Sequence, residues 1–185
     1  KIDLKKNYIN NYIMTENGDP EIKIINMYNF NNKLINKHNV HKILSNYGIS
    51  FDIKDISLYQ NSFVHKSYCV KKEDEMQEDV ELAERPEGAL PLQGRSNERL
   101  EYLGDSILNA IIAKYLYERF PDQEEGFMTK LRTKIVCGET LGKLAKDIGL
   151  GEYLLISRHV EERCNGREST RILEDVFESF IGALF

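Results

Sequence analysis

The stretch Asn97-Glu98-Arg99-Leu100-Glu101-Tyr102-Leu103-Gly104-Asp105-Ser106 runs on without a break to Phe120 and is stopped by Pro121. It is the longest helical pattern in the chain, and a proline ends a helix because it lacks the amide donor the next turn needs. At about 100° per residue, Glu98, Glu101 and Asp105 fall within an arc of roughly 60°. Leu100, Leu103, Ile107, Leu108, Ile111 and Tyr115 form the adjoining apolar stripe, so the carboxylates border the expected core side. Glu101 and Asp105 lie one turn apart and both can reach one ion, yet like charges at that spacing cost a few tenths of a kcal/mol. Gly104 inside the helix costs about 1 kcal/mol relative to alanine. Such local costs accompany close packing or function.

The last stretch carries the same conflict more sharply. Ile172, Leu173, Val176, Phe177, Phe180, Ile181, Ala183, Leu184 and Phe185 leave almost no polar face. A helix of that kind is buried. Asp175 and Glu178 nevertheless sit in it, three apart, flanked by the small residues Ser179 and Gly182. Buried carboxylates are expensive unless paired or bound to metal, and no Lys or Arg follows Arg171. Glu101, Asp105, Asp175 and Glu178 are therefore the expected members of one site. An all-oxygen set suits a hard cation such as Mg²⁺ and disfavours zinc, since neither stretch holds Cys or His.

Between and before these helices the pattern is mostly helical, and the expected class is all-α. Val40, Ile43, Leu44 and Tyr47 mark a helix with Gly48 as its C-cap. Ile56, Tyr59 and Phe63 mark a second, ending near His65-Lys66-Ser67-Tyr68. Shorter helices are expected over residues 125–137 and 139–148, then a hinge at Gly149-Leu150-Gly151 and a loop over residues 158–167. Ser169 or Thr170 caps the final helix. Residues 1–38 read as an extension of uncertain order, with a turn at Asn17-Gly18-Asp19-Pro20. Ile22, Ile24 and Ile25 form either a short strand or an arm. Residues 71–95 read as a solvated acidic insert, being rich in Glu and Asp and broken by Pro86, Gly88, Pro91 and Gly94.

Composition narrows the function classes. The chain has 185 residues, 41% of them hydrophobic, and a net charge of −5, which argues against a generic basic nucleic-acid coat. No apolar run is long enough for a membrane span, and no N-terminal stretch reads as a secretory signal. Three scattered cysteines give neither a disulfide framework nor a zinc knuckle and fit a reducing, intracellular compartment, cytoplasmic or nuclear. His38 and His41 read as a solvated helix face. The chain starts at Lys1 and stops inside an apolar run, as expected of a piece of a longer protein.

Residues 97–106 resemble, nearly residue for residue, the signature motif of the ribonuclease III family. His65-Lys66-Ser67-Tyr68 resembles the family's short upstream motif, and Leu173-Glu174-Asp175-Val176-Phe177-Glu178-Ser179-Phe180-Ile181-Gly182-Ala183 its second acidic motif. The resemblance covers about residues 39–185 and implies a helical, homodimerising endonuclease domain. It implies Mg²⁺-dependent hydrolysis of double-stranded RNA, with Mn²⁺ able to substitute, to 5′-phosphate and 3′-hydroxyl ends with short 3′ overhangs. It further implies a metal cluster of Glu101, Asp105, Asp175 and Glu178, with Asp105 and Glu178 foremost in catalysis. Glu98 and Glu125 match two further acids of the RNA-processing valley. Tyr102 and Leu103 belong either to the dimer contact or to ordinary core. The double-stranded-RNA-binding domain that often follows in the family has no counterpart in these residues. Lys130, Arg132 and Lys134, or Arg158, Arg163 and Arg167, are the candidates for touching RNA phosphates.

Overall fold

The last helix takes the centre because it has no polar face to give to water. The computed structural model of the chain describes residues 23–71 and 80–185. Among them, α7 (Thr170–Leu184) buries Leu173, Val176, Phe180 and Ala183. Each large apolar side chain so buried contributes about 1.5–3 kcal/mol. Around it pack α1 (Lys37–Ser45), α2 (Ile56–Ser62), α3 (Glu98–Arg119) and α5 (Gly138–Ile148). Phe180 meets the rings of Tyr59 and Phe63 at 5.8 and 5.9 Å between centroids. α4 (Glu125–Ile135) leans on α3 outside this core and buries no side chain fully.

The class is all-α as expected, with one small addition. Strand β1 (Lys23–Ile25) pairs in parallel with β2 (Val80–Leu82), Ile24 opposite Glu81. Ile24 and Ile25 thus form a strand, and its partner comes from the acidic insert. Glu81, Glu84 and Glu87 are solvated, as the charge run predicts, but the insert is not a free loop throughout. Ala89 is buried, Leu90 and Leu92 pack beside Tyr68, and Gln93 bonds the backbone of Tyr68 and Val70. Its few apolar residues anchor the backbone while the charges face water. The turn at Asn17–Pro20, Ile22, and the acids Glu73, Asp74, Glu75, Glu78 and Asp79 lie outside the described residues.

Helix ends are shifted slightly from the sequence reading. α1 ends at Ser45, and Gly48 follows it with φ of +71°, the left-handed region that glycine tolerates. α2 stops at Ser62, before a 3₁₀ turn over Lys66–Tyr68. Residues 158–167 are not the expected loop. Arg158–Cys164 form α6, capped by Ser157 Oγ accepting from the Val160 amide, and a 3₁₀ turn covers Gly166–Glu168. Its seven residues carry little apolar periodicity; the cap and the Arg158–Glu162 pair at 2.7 Å support it instead.

The extension is packed from Met27 onward. The Asn32 side chain pairs with Ile156 as a neighbouring strand would: its amide donates to Ile156 O at 3.0 Å and its carbonyl accepts from Ile156 N at 3.2 Å. Arg167 donates to the same carbonyl at 2.8 Å. Asn29 bonds Ile156 O and Glu161, while Ile35 is buried in the core. Substituting Asn32 by alanine leaves the Ile156 amide and one arm of Arg167 unsatisfied, while Asn29 still serves the Ile156 carbonyl, a cost of about 2–3 kcal/mol. The melting temperature should fall by about 5–10 °C. Asn31→Ala, at an exposed position bonded to Glu161 alone through its side chain, should stay within about 0.5 kcal/mol. Equal melting curves for the two variants would show that the asparagine network is dispensable.

Candidate active site

Two glycines bring the acids together. At Gly104 the backbone of α3 lies so close to α7 that an added Cβ would overlap the carbonyl oxygen of Glu178 and come within 2.9 Å of Gly182 N. At Gly182 the added atom would overlap the carbonyl of Leu100. Backbone-to-backbone contact sets Glu101 and Asp105 on one helix against Asp175 and Glu178 on the other. Asn97 braces the same junction. Buried at the head of α3, it donates to Ser62 O at 3.2 Å and Ser179 Oγ at 3.3 Å, and Ser179 itself donates to Ser62 O at 2.6 Å. Small residues beside the acids thus serve the helix crossing.

Glu178 is the most enclosed of the four acids, only 9% exposed. Among the described residues it has no ion-pair partner, and no side chain donates to its carboxylate. Burial, and then the charges of Asp105, Glu174, Glu101 and Asp175, push its carboxyl up to about 7. Glu101 is raised by burial and by Asp175 and Glu98. Asp175 is raised by burial and by Glu174, opposed by Arg171 and Lys66. Asp105 is exposed and accepts from Asn109 Nδ2 at 2.7 Å. Asp105 and Glu178 are therefore within each other's field, and Glu178 is shielded from bulk water.

The remaining expected site residues divide. Glu98 belongs with the cluster: it accepts from Ser96 Oγ at 2.9 Å, pairs with Lys66 at 3.5 Å, and acts on both Glu101 and Asp175. Glu125 opens α4 on the surface, accepting from Thr129 Oγ1 at 2.6 Å. It is not among the principal charges acting on the clustered acids. Arg167 is no phosphate contact. It is largely buried, donates to the carbonyls of Gly151 and Leu154, and pairs with Glu161 at 3.2 Å. Lys130 and Lys134 are exposed on α4 and Arg132 partly so.

Glu174 was not singled out from the sequence. Its carboxylate rests against Gly138 at the start of α5, in the space a Cβ there would take, and where the helix dipole favours a negative charge. It lies one turn before Glu178, about 40° from it on the helical wheel, the same spacing that pairs Glu101 with Asp105, so that spacing was the signal that could have found it. Four acids with oxygen donors and no cation partner among them fit a hard divalent cation. Among the described residues no three acid, histidine or cysteine side chains already converge into a cage.

The apolar stripe of α3 is mostly not core. Tyr102 is 78% exposed, and Leu103, Ile111 and Tyr115 are exposed as well; only Gly104 and Leu116 of this helix are fully buried. Periodicity reports that a face is apolar, not what covers it.

The family profile described as ribonuclease-III-like matches residues 55–185. The chain belongs to the ribonuclease III family. It is 36% identical over 179 residues to a probable ribonuclease 3 of Acanthamoeba polyphaga mimivirus, a match covering 94% of this chain and 32% of that protein. It is 37% identical over 137 residues to ribonuclease 3 of a Listeria monocytogenes strain, covering 74% and 52%. The chain therefore spans between about a third and a half of these ribonuclease III relatives. The viral match runs past the family profile into the N-terminal extension. The fold is similar to the nuclease domain of Campylobacter jejuni ribonuclease III, with a TM-score of 0.60 and 30% identity over 80% of this chain and 82% of that one. A second structure of that domain, 31% identical with a TM-score of 0.59 over 78% and 83%, is described as flexible in the region involved in dimer formation.

Proposed function

We propose that the chain is a Mg²⁺-dependent endonuclease domain acting on double-stranded RNA, leaving 5′-phosphate and 3′-hydroxyl ends with short 3′ overhangs. The observation that carries this reading is Glu178: a buried carboxylate with no cation partner among the described residues, beside Asp175 on its own helix and facing Glu101 and Asp105 across a glycine-to-glycine helix contact, in a chain of the ribonuclease III family. In this reading residues 39–185 are the nuclease domain. Glu101, Asp105, Asp175 and Glu178 supply the carboxylate oxygens for Mg²⁺ or Mn²⁺. A bound divalent ion offsets the repulsion among the acids and stabilises charge on a phosphodiester undergoing in-line displacement. Asn109 holds Asp105 in place, and the enclosure of Glu178 keeps competing water from its oxygens. Glu98 and Glu125 line the approach of the RNA, with Lys130, Arg132 and Lys134 as phosphate contacts.

The test is cleavage of labelled duplex RNA by the purified chain in Mg²⁺ and in chelator, beside single-stranded RNA of the same sequence. Cutting of the duplex alone, in Mg²⁺ alone, with 5′-phosphate product ends, is the expected result. Duplex binding without any cutting would reverse the reading in favour of a non-catalytic RNA binder.

Homodimerisation belongs to the same proposal, supported by the exposed stripe of Leu103, Ile111 and Tyr115 on α3, with the exposed Tyr102 beside Leu103. Large apolar side chains exposed together along one helix mark an interaction surface. Ile111→Glu should weaken self-association by about 30-fold or more, read by sedimentation equilibrium. An unaltered oligomeric state would place the dimer contact elsewhere.

A further inference from the structure

We propose that Lys66 binds a backbone phosphate of the RNA strand presented to the acid cluster. The inference rests on the nuclease reading above and adds the residue that lets a polyanion approach so acidic a surface. Six carboxylates gather at the α3–α7 crossing: Glu98, Glu101, Asp105, Glu174, Asp175 and Glu178. Lys66 pairs with Glu98 at 3.5 Å and its charge opposes those of Glu101 and Asp175, while Arg171 acts on Asp175. A divalent ion does not by itself offset six acids, and a phosphate strand needs a positive group beside it.

The turn that carries Lys66 is fixed on both sides. The His65 amide donates to Leu155 O at 3.0 Å, Ser67 Oγ accepts from the Ser157 amide at 3.0 Å, and Tyr68, fully buried, donates its hydroxyl to Leu90 O at 2.8 Å. The Asn97 amide donates to Val64 O at 2.8 Å, which ties this turn to the head of α3. Between these anchors the Lys66 side chain is 71% exposed, and its sole ion-pair partner among the described residues is the exposed Glu98 at 3.5 Å. Exposed pairs of this kind contribute little, so the ammonium exchanges Glu98 for a phosphate oxygen at small cost. A turn so anchored, with one exposed cation beside the acids, is suited to holding a strand, and reads charge without sequence.

The test compares wild type, Lys66→Ala, Lys66→Arg and Glu98→Gln on one labelled RNA duplex, by cleavage in Mg²⁺ and by anisotropy in chelator, each across a salt series. Lys66→Ala should raise KM about three- to tenfold with kcat nearly unchanged, and make the dependence of log affinity on log salt shallower by about one. Lys66→Arg should restore both. Glu98→Gln removes the ion pair but keeps the lysine, so whatever it does to affinity its salt slope should not become shallower than that of wild type. Wild-type KM and slope in Lys66→Ala, in a chain that cuts, would overturn the Lys66 assignment alone. Identical slopes in Lys66→Ala and Glu98→Gln, both shallow, would overturn it too, since the lysine would then act only through Glu98. A wild-type chain that binds duplex without cutting fails the nuclease reading, and the slopes still decide Lys66. Neither binding nor cutting overturns both.

Discussion

Glu178→Gln should abolish RNA cleavage and, in the metal-free protein, raise stability above neutral pH. The two effects share one cause. The carboxyl lies at about 7 in the folded chain against an ordinary value of 4.5, because the surroundings disfavour its charged form. Between those two pH values the folded state binds more protons than the unfolded one, so the stability contributed by this group falls as pH rises. Above about 7 the full penalty is present; below about 4.5 it vanishes. Glutamine removes the charge and with it the penalty, about 1–2 kcal/mol once solvent screening at this partly open site is allowed for. The melting temperature should therefore rise by about 3–6 °C at pH 8 or so and hardly change near pH 4. Cleavage in Mg²⁺ should drop by about 10³-fold or more, since a neutral amide is a poor ligand for a hard cation whose charge stabilisation is worth several kcal/mol. Wild-type cleavage by the variant would remove Glu178 from the site. A lower melting temperature at high pH would show that the carboxylate has a stabilising partner.

Gly104→Ala should do the reverse: it leaves every acid in place and dismantles their arrangement. A single methyl group at this position overlaps the backbone carbonyl of Glu178, which no rotamer change relieves, because neither atom belongs to a flexible side chain. α3 and α7 must separate. Overpacking of a well-packed core costs typically 1–3 kcal/mol and more where backbone is struck, so about 3 kcal/mol or more is expected here, partly offset by alanine's better helix propensity. The melting temperature should fall by about 6–12 °C, and cleavage should fall with it even at temperatures where circular dichroism reports intact helices. Gly126→Ala is the control, since nothing lies within 4 Å of the added atom. A Gly104→Ala chain with native stability and full activity would mean that the helices need not touch for the acids to act.

Much of this site was legible before any coordinates. The spacing of Glu101 and Asp105, the misplaced Asp175 and Glu178 in an apolar helix, and the small residues Gly104 and Gly182 are local facts. Helical periodicity converts them directly into faces. The same periodicity misread the stripe of α3 as core, because it reports which residues share a face but not what lies against it. Nor does it disclose α6, since a seven-residue helix held by its cap and a surface pair carries too short an apolar pattern to read.

Amino-acid order alone determined that the chain is helical, that two of its helices carry acids bordering apolar faces, and that an oxygen-only set favours a hard cation. Tertiary structure alone decided the places of Lys66, Asn97 and Arg167. Lys66 and Glu98 stand 32 positions apart, Asn97 and Ser179 82 apart, and Asn32 and Arg167 135 apart. Electrostatic fields and hydrogen bonds act through space, over a few ångströms. Only when the chain has packed α7 against α3 and α5 do those distances become short enough for an arginine to be a structural clasp and a lysine to face a cluster of acids.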